Sequence, residues 1–385
     1  MKIRTPDYFN EFKCIADRCE DTCCAGWGIV IDDESYKKYL STKGKLGEEL
    51  RSKIINDDGD NIFVLKGDRC SFLNESNLCD IYSNLGSDGL CYTCRQYPRY
   101  LEEFGNLREV GISLSCPEAA RIILSKNDKM KFNLSENNEE VNSYNDINPN
   151  IYINLMQSRK IVLDILQDRK MELRDRCTLV LTFANEIQEK IDSNDINSIK
   201  DINKKYLDKD FLYKFIISFQ EFNNKLDQKY LNIYEIINIF IDLKHLKPND
   251  ILGLENSLRY FWQNEEDIKV YQDLNNSFNE YYKDNEYQFE QILIYYVFRY
   301  FMKSVFDYDV LAKIKFALIS FIVIRELSII RYLENKKFLD EDMVDIAHIY
   351  SRDIEHLEEN IEVLEELFET RIEFSVENLI ITLCN

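Results

Sequence analysis

Histidine is missing from the first 244 residues of this 385-residue chain, and only His245, His348 and His356 occur at all. A metal site built in the front part therefore has no imidazole to use. It must rely on cysteine, alone or with oxygen ligands. Glycine and proline are equally uneven. Ten of the 11 glycines precede residue 112, and after Pro117 only Pro149 and Pro248 remain. A front segment dense in turn formers makes many tight turns, whereas a rear almost without them runs as long helices.

Long apolar runs are lacking too. The longest, Phe316 to Ile324, is interrupted by Ser320 and closed by Lys315 and Arg325. It falls far short of the roughly 20 residues that cross a bilayer, so a buried helix is expected and no membrane partner. No apolar stretch follows the first residues, which predicts no secretory signal and a cytoplasmic location. Positive charge is in deficit, with 48 Lys+Arg against 69 Asp+Glu and a net charge of -21. Phosphate backbones would be repelled, which excludes nucleic acid as the main partner and favours a basic one. Nucleotide signatures are absent. Gly26-Trp-Gly28 is the nearest approach to G-x-G-x-x-G, and it follows cysteines rather than a strand. P-loop, H-E-x-x-H and C-x3-C-x2-C patterns do not occur.

What the chain has is cysteine. Nine of 11 lie between Cys14 and Cys116, as Cys14-x4-Cys19-x3-Cys23-Cys24, Cys70-x8-Cys79, Cys91-x2-Cys94 and Cys116 before Pro117; Cys177 and Cys384 stand apart. In a reducing compartment such thiols serve as metal ligands rather than disulfides. Thiolate-only sites select zinc or an iron–sulfur cluster. Cys23 and Cys24 are expected to diverge as chain neighbours, leaving one for a second site or for packing. Tyr82, Tyr92 and Tyr97 lie among the cysteines and could line a site or pack the small core. Arg95 and Arg99 flank Pro98 and could bind a carboxylate, offset thiolate charge or form surface ion pairs.

From Ile151 onward, apolar residues recur at helical spacing. Runs occupy roughly 151–166, 173–191, 211–226, 232–243, 252–262, 289–305, 310–333 and 340–367, with Asn249 and Asp250 marking one helix start. The expected fold is mainly α. A turn-rich cysteine metal-binding module (1–125) and a polar linker (126–150) lead into a multi-helix domain (151–385) of seven to nine helices. His348 and His356, eight apart on one run, read as polar helix residues.

The segments PDYFNEFKC ending at Cys14, CEDTCCAGWGIVID from Cys19 to Asp32, CDIY at Cys79–Tyr82, CYTCRQYPR at Cys91–Arg99 and FEQILIYYVFRYF at Phe289–Phe301 resemble the bacterial flagellin lysine-N-methylases. The front module also resembles the broader cysteine-rich zinc- or iron-chelating family. That family commonly reads C-x2-C-x2-C-C, and here the spacers are four and three residues. The resemblance implies an S-adenosylmethionine-dependent protein-lysine N-methyltransferase acting on flagellin, with a [4Fe-4S] cluster, or zinc in its place. The metal ligands then come from Cys14, Cys19, Cys23, Cys24, Cys70, Cys79, Cys91, Cys94 and Cys116. Tyr82 and Tyr97 become the catalytic candidates, and Arg95 and Arg99 the donor-binding ones. Two other readings stay open: a non-catalytic interaction protein with a structural zinc module, and an electron-transfer iron–sulfur protein.

Overall fold

Strand β1 (Lys2–Pro6) lies inside a sheet, although the front module is rich in turn formers. The structure is a computed structural model that describes residues 1–57, 59–140, 147–247, 251–264 and 267–384. Two small hairpins come first: β2 (Ile54–Asp57) with β3 (Asp60–Phe63), and β4 (Leu65–Lys66) with β5 (Arg69–Cys70). The main sheet is completed by β6 (Arg99–Phe104), β7 (Leu107–Ile112) and β8 (Phe132–Glu136), in the order β6-β7-β1-β8. β1 runs parallel to β7 and antiparallel to β8. Gly105, at φ +62° in the two-residue β6–β7 turn, supplies the left-handed conformation that closes the hairpin. Gly111 faces Tyr100, and a Cβ there would meet the Tyr100 ring at 2.3 Å. The missing side chain lets that ring lie flat across the strand. These strands went unread in the sequence, and β8 falls within the polar stretch 126–150.

Short helices connect the strands: α1 (Asp33–Ser41), α2 (Gly44–Ser52), α3 (Asp80–Leu85), α4 (Tyr92–Gln96) and α5 (Pro117–Leu124). Two apolar clusters result. Ile29, Ile31, Tyr39, Leu50, Phe63, Phe72 and Ile81 form a small core together with Cys70 and Cys91. Cys116 and α5 instead join the large core of the helical part.

The helical part comprises α6 (Pro149–Leu166), α7 (Leu173–Asp192), α8 (Ile199–Leu207), α9 (Lys209–Ser218), α10 (Leu226–Asp242), α11 (Leu252–Phe261), α12 (Asp267–Tyr282), α13 (Tyr287–Tyr300), α14 (Ser304–Asp307), α15 (Val310–Asn335), α16 (Asp340–Glu355), α17 (Glu358–Thr370) and α18 (Val376–Cys384). The helices are more numerous and shorter than the seven to nine expected. Asn148 caps α6 through its side chain, with Pro149 at the first helical position. The 211–226 run is helical only as far as Ser218 in α9, and the 340–367 run breaks at His356 and Leu357. The helix start read at Asn249 and Asp250 lies outside the described residues, as do residues 141–146 of the polar stretch.

The run Phe316–Ile324 is the buried middle of α15, packed by α7, α13 and α16. No described helix is long and apolar enough to cross a membrane. The sheet is tied to the helices by a buried ion pair. Glu109 on β7 takes both Arg159 nitrogens, at 2.6 and 2.5 Å, with Arg4 of β1 at 2.8 Å. Bidentate geometry of this kind offsets the cost of desolvating the charges.

Candidate metal centre

Backbone pairing sets the thiols. Cys24 O accepts from Cys70 N at 2.8 Å, and Gly26 N donates to Asp68 O at 2.7 Å, so the double cysteine lies along the β4–β5 hairpin. Leu73 N donates to Cys70 O and Leu73 bridges Cys79, which folds Cys79 back toward Cys70. Asn74 Oδ1 holds that loop by accepting from the amides of Ser76 and Leu78. Cys91 stands immediately before α4, so the two-residue spacer to Cys94 is one helical turn and brings both thiols to one side. Asp32 accepts from Ser35 N at 2.9 Å and Tyr92 N at 2.7 Å, clamping the starts of α1 and α4 together.

The thiols of Cys23 and Cys24 lie close enough to shift each other's ionisation, as do those of Cys91 and Cys94. The expectation that Cys23 and Cys24 diverge is thus corrected: a non-helical turn at this point lets neighbours converge. Each contact splits its pair. The Cys23 thiol holds Cys24 down to about 7 and the Cys94 thiol lowers Cys91, while Cys23 and Cys94 are raised. Burial pushes Cys19 and Cys70 up to about 11 and Cys116 up to about 12. Binding a metal therefore releases protons from several of these thiols. Cys24 and Cys91 bear electrostatically on Cys70, whereas Cys14 and Cys19 bear on Cys116. Among the described residues no three His, Cys, Asp or Glu side chains already stand as a finished cage. The donor set still fits thiolate ligation in kind, because paired thiols need only lose protons and close on an ion.

The helical part supplies the other wall. Asp21, between Cys19 and Cys23, is gripped from outside its own segment: Lys247 Nζ donates at 2.7 Å, His348 Nε2 lies 3.2 Å away, and Arg352 completes the group. Four residues further on, His356 Nε2 lies 2.8 Å from Ser115 Oγ, and its ring packs on Trp27 and Tyr97 at centroid distances of 5.2 and 5.8 Å. His348, Arg352 and His356 are spaced by four, so one edge of α16 faces the cysteine module. His348 is buried and His356 half-buried, each in contact with the front module. Burial lowers both pKa values, that of His356 to about 4, so His356 is neutral at pH 7. From Ser115 the contacts run inward to Ser113 at 2.8 Å, then to Tyr295 at 3.3 Å, and on to Glu355, whose Oε2 accepts from Tyr295 at 2.8 Å and from Tyr300 at 3.1 Å. Arg299 pairs with the fully buried Glu355.

Residues 159–382 match the FliB lysine N-methylase C-terminal domain, well over half of the chain. The chain belongs to the FliB lysine N-methylase family. Residues 13–112 match the CxxCxxCC zinc- or iron-chelating domain, a span that holds every clustered cysteine except Cys116. Over 144 residues the chain is 30% identical to the Flagellar biosynthetic protein FliU of Salmonella muenchen, covering 34% of this chain and 81% of that protein. It is 29% identical to the Lysine-N-methylase of Salmonella typhimurium, with 34% of each chain covered. The match thus spans about a third of the length of that relative. No solved structure matches.

Within this family member the residues singled out from sequence are scattered. Tyr97 is half-buried against Trp27 and His356, and its hydroxyl meets Ser115 Oγ at 3.2 Å. Tyr82 is 56% exposed and Tyr92 51% exposed, and among the described residues the side-chain contacts of Tyr97 are with Trp27, His356 and Ser115 rather than Tyr82. Arg99 lies over the Phe12 ring at 5.3 Å. Arg95 is exposed, and among the described residues neither arginine forms a salt bridge. Asp21, Ser115 and Arg352 escaped the sequence reading, and His348 and His356 were read only as polar helix residues. The four-residue spacing on α16 was the available signal.

Proposed function

We propose that this chain is a protein-lysine N-methyltransferase that uses S-adenosylmethionine, acts on flagellin in the cytoplasm, and carries a [4Fe-4S] cluster on its N-terminal cysteines. The observation that carries the proposal is the grip on Asp21. It joins the thiol module to α16 of the methylase domain, so the metal ligands and the family's helical part form one unit. The relatives' names add lysine methylation and a flagellar setting, each said of those proteins.

A substrate lysine, with a pKa near 10.4 in water, must lose its proton before its nitrogen can attack a methyl sulfonium. Burial in a low-dielectric site removes much of that cost by disfavouring the ammonium. The acidic surface suits approach by a lysine-bearing partner. Cys23, Cys24, Cys91 and Cys94, with Cys14, Cys19, Cys70, Cys79 and Cys116 around them, are the proposed ligand set. A cluster there would supply a redox-active group tuned by burial and by hydrogen bonds to its sulfurs. Tyr82 and Tyr97 are the proposed catalytic tyrosines, Tyr82 beside Cys79 and Tyr97 beside Ser115.

The test is anaerobic purification, with iron, sulfide and zinc analysis, followed by incubation with S-adenosylmethionine and flagellin. Matched iron and sulfide, together with methyl groups located on flagellin lysines by mass spectrometry, are expected. Zinc without iron would replace the cluster by zinc. A fully metal-loaded protein that leaves flagellin unmethylated would overturn the methyltransferase reading.

A further inference from the structure

A buried lysine that forms no ion pair, with only the already engaged Glu326 carboxylate acting on it from the same cavity wall, marks a second site. Lys229 on α10 is 6% exposed, and among the described residues its Nζ makes no hydrogen bond or ion pair. It lines a cavity of about 260 Å³ enclosed by the start of α7, by α10, α12, α13 and α15, and by the end of α18. The other cations lining the cavity are engaged. Arg325 is held by Asn275 and Glu326, Arg174 by Glu172, and Lys283 by Glu280. Burial, with Arg325 and Arg174 nearby, lowers Lys229 to about 7. An uncompensated ammonium in such a place either gives up its proton or takes an anion. The space beside it is large enough to admit one.

The remaining walls narrow the choice. Phe278 and Phe289 present apolar rings to the cavity, and aromatic faces attract a cation that has left water. At the mouth, Glu172 and Glu286 are 71% and 50% exposed. A ligand that fits has a carboxylate for Lys229, a cationic middle for the rings and a larger remainder reaching outward.

We infer that this cavity binds the amino-acid end of the methyl donor, a sulfonium amino acid joined to a nucleoside, with its carboxylate on Lys229. The inference rests on the donor proposed above. It separates methyl transfer from the thiols. Phe289 and Tyr295 lie six residues apart on α13, about 9 Å along its axis, and on different sides of it. The half-exposed Glu286 carboxylate, shared with Arg176 at 3.4 Å, then faces the incoming lysine ammonium, and Tyr97 remains a residue of the metal module.

Calorimetric titration of the full metal-loaded chain with S-adenosylmethionine, and with its demethylated product, tests this. The wild type should bind both, and Lys229→Met should weaken binding at least ten-fold. Wild type titrated at pH 8 in two buffers of different ionisation heat should take up about one proton per ligand, because a bound carboxylate raises the lowered lysine pKa. At pH 6, where Lys229 already holds its proton, uptake should vanish. Around it, Arg174, Arg325, Glu326 and Cys384 act on Lys229, and Glu172, Tyr282, Lys283 and Glu286 are the other charged or titratable groups lining the cavity. Wild type that binds without proton uptake, or a Lys229→Met variant that binds like wild type, overturns the cavity site and leaves the methyltransferase reading standing. Wild type that neither binds the donor nor transfers methyl overturns both.

Discussion

His348 Nε2 lies 3.2 Å from Asp21 Oδ2, across 327 residues of chain. One carboxylate in the Cys19–Cys23 loop thus answers to an imidazole, an ammonium and a guanidinium from the helical part. The geometry of the metal module is set partly by a domain that contributes no thiol to it.

Asp21→Asn should therefore act on both parts at once. It leaves the buried Arg352 and His348 facing a neutral amide, a change that costs about 3 kcal/mol when a buried ion pair is broken. Urea unfolding should show a lower midpoint at an unchanged slope, and the purified variant should carry less metal. Wild-type metal content together with wild-type stability would contradict the coupling.

Cysteine substitutions should divide by location. Cys91→Ser and Cys94→Ser remove one member of a paired thiol and should abolish or sharply reduce bound metal. Cys177 and Cys384 are buried among helices, remote from the module. Their serine variants should keep full metal content by elemental analysis, even if somewhat less stable. Equal metal loss in both sets would refute the assignment.

The pH dependence of stability should carry the mark of His356. Its folded pKa of about 4 lies below the ordinary 6.5. Between those values the unfolded chain holds a proton that the folded chain excludes. Stability from this group is complete above pH 6.5 and falls as pH drops toward 4. Between pH 7 and pH 5, wild type should lose about 2 kcal/mol more than His356→Gln does. Parallel losses in the two proteins, followed by urea titration at each pH, would show that His356 is not the titrating group.

Recruitment of a lysine-bearing protein by a chain of net charge -21 should weaken with salt. Screening is strong beyond about 8 Å at 0.15 M ionic strength, and the loss should fall on the association rate. Stopped-flow association with flagellin across a salt series reads this directly. Single-turnover methylation of substrate already bound should change far less. An association rate that ignores salt would remove the electrostatic recruitment while leaving the chemistry untouched.

Much of the site's chemistry was legible before any coordinates. Nine clustered cysteines without a histidine among them pointed to thiolate ligation, and the Cys91-x2-Cys94 spacer proves to be the first turn of α4. The contact between Cys23 and Cys24 was not legible, because adjacent residues converge only in particular backbone turns. The sheet was missed because its strands are short and only part of each is buried. β8 is almost wholly exposed, so no two-residue alternation marks it. The break at His356 was missed because no glycine or proline announces it. Tyr97, Ser115 and His356 meet there, and tertiary contacts override the local preference to continue the helix.

The sequence by itself determined the division into a turn-rich cysteine module and a helical rear, and the burial of α15. Those features follow from composition and local periodicity, which each segment carries within itself. Tertiary structure alone decided that Asp21 reaches His348 and Arg352, that Tyr97 packs on Trp27 and His356, and that Lys229 is left without an ion pair beside a cavity. Each of these depends on which faces of distant helices pack together. Pairing across hundreds of residues is chosen by the burial of whole surfaces, and no local pattern records it.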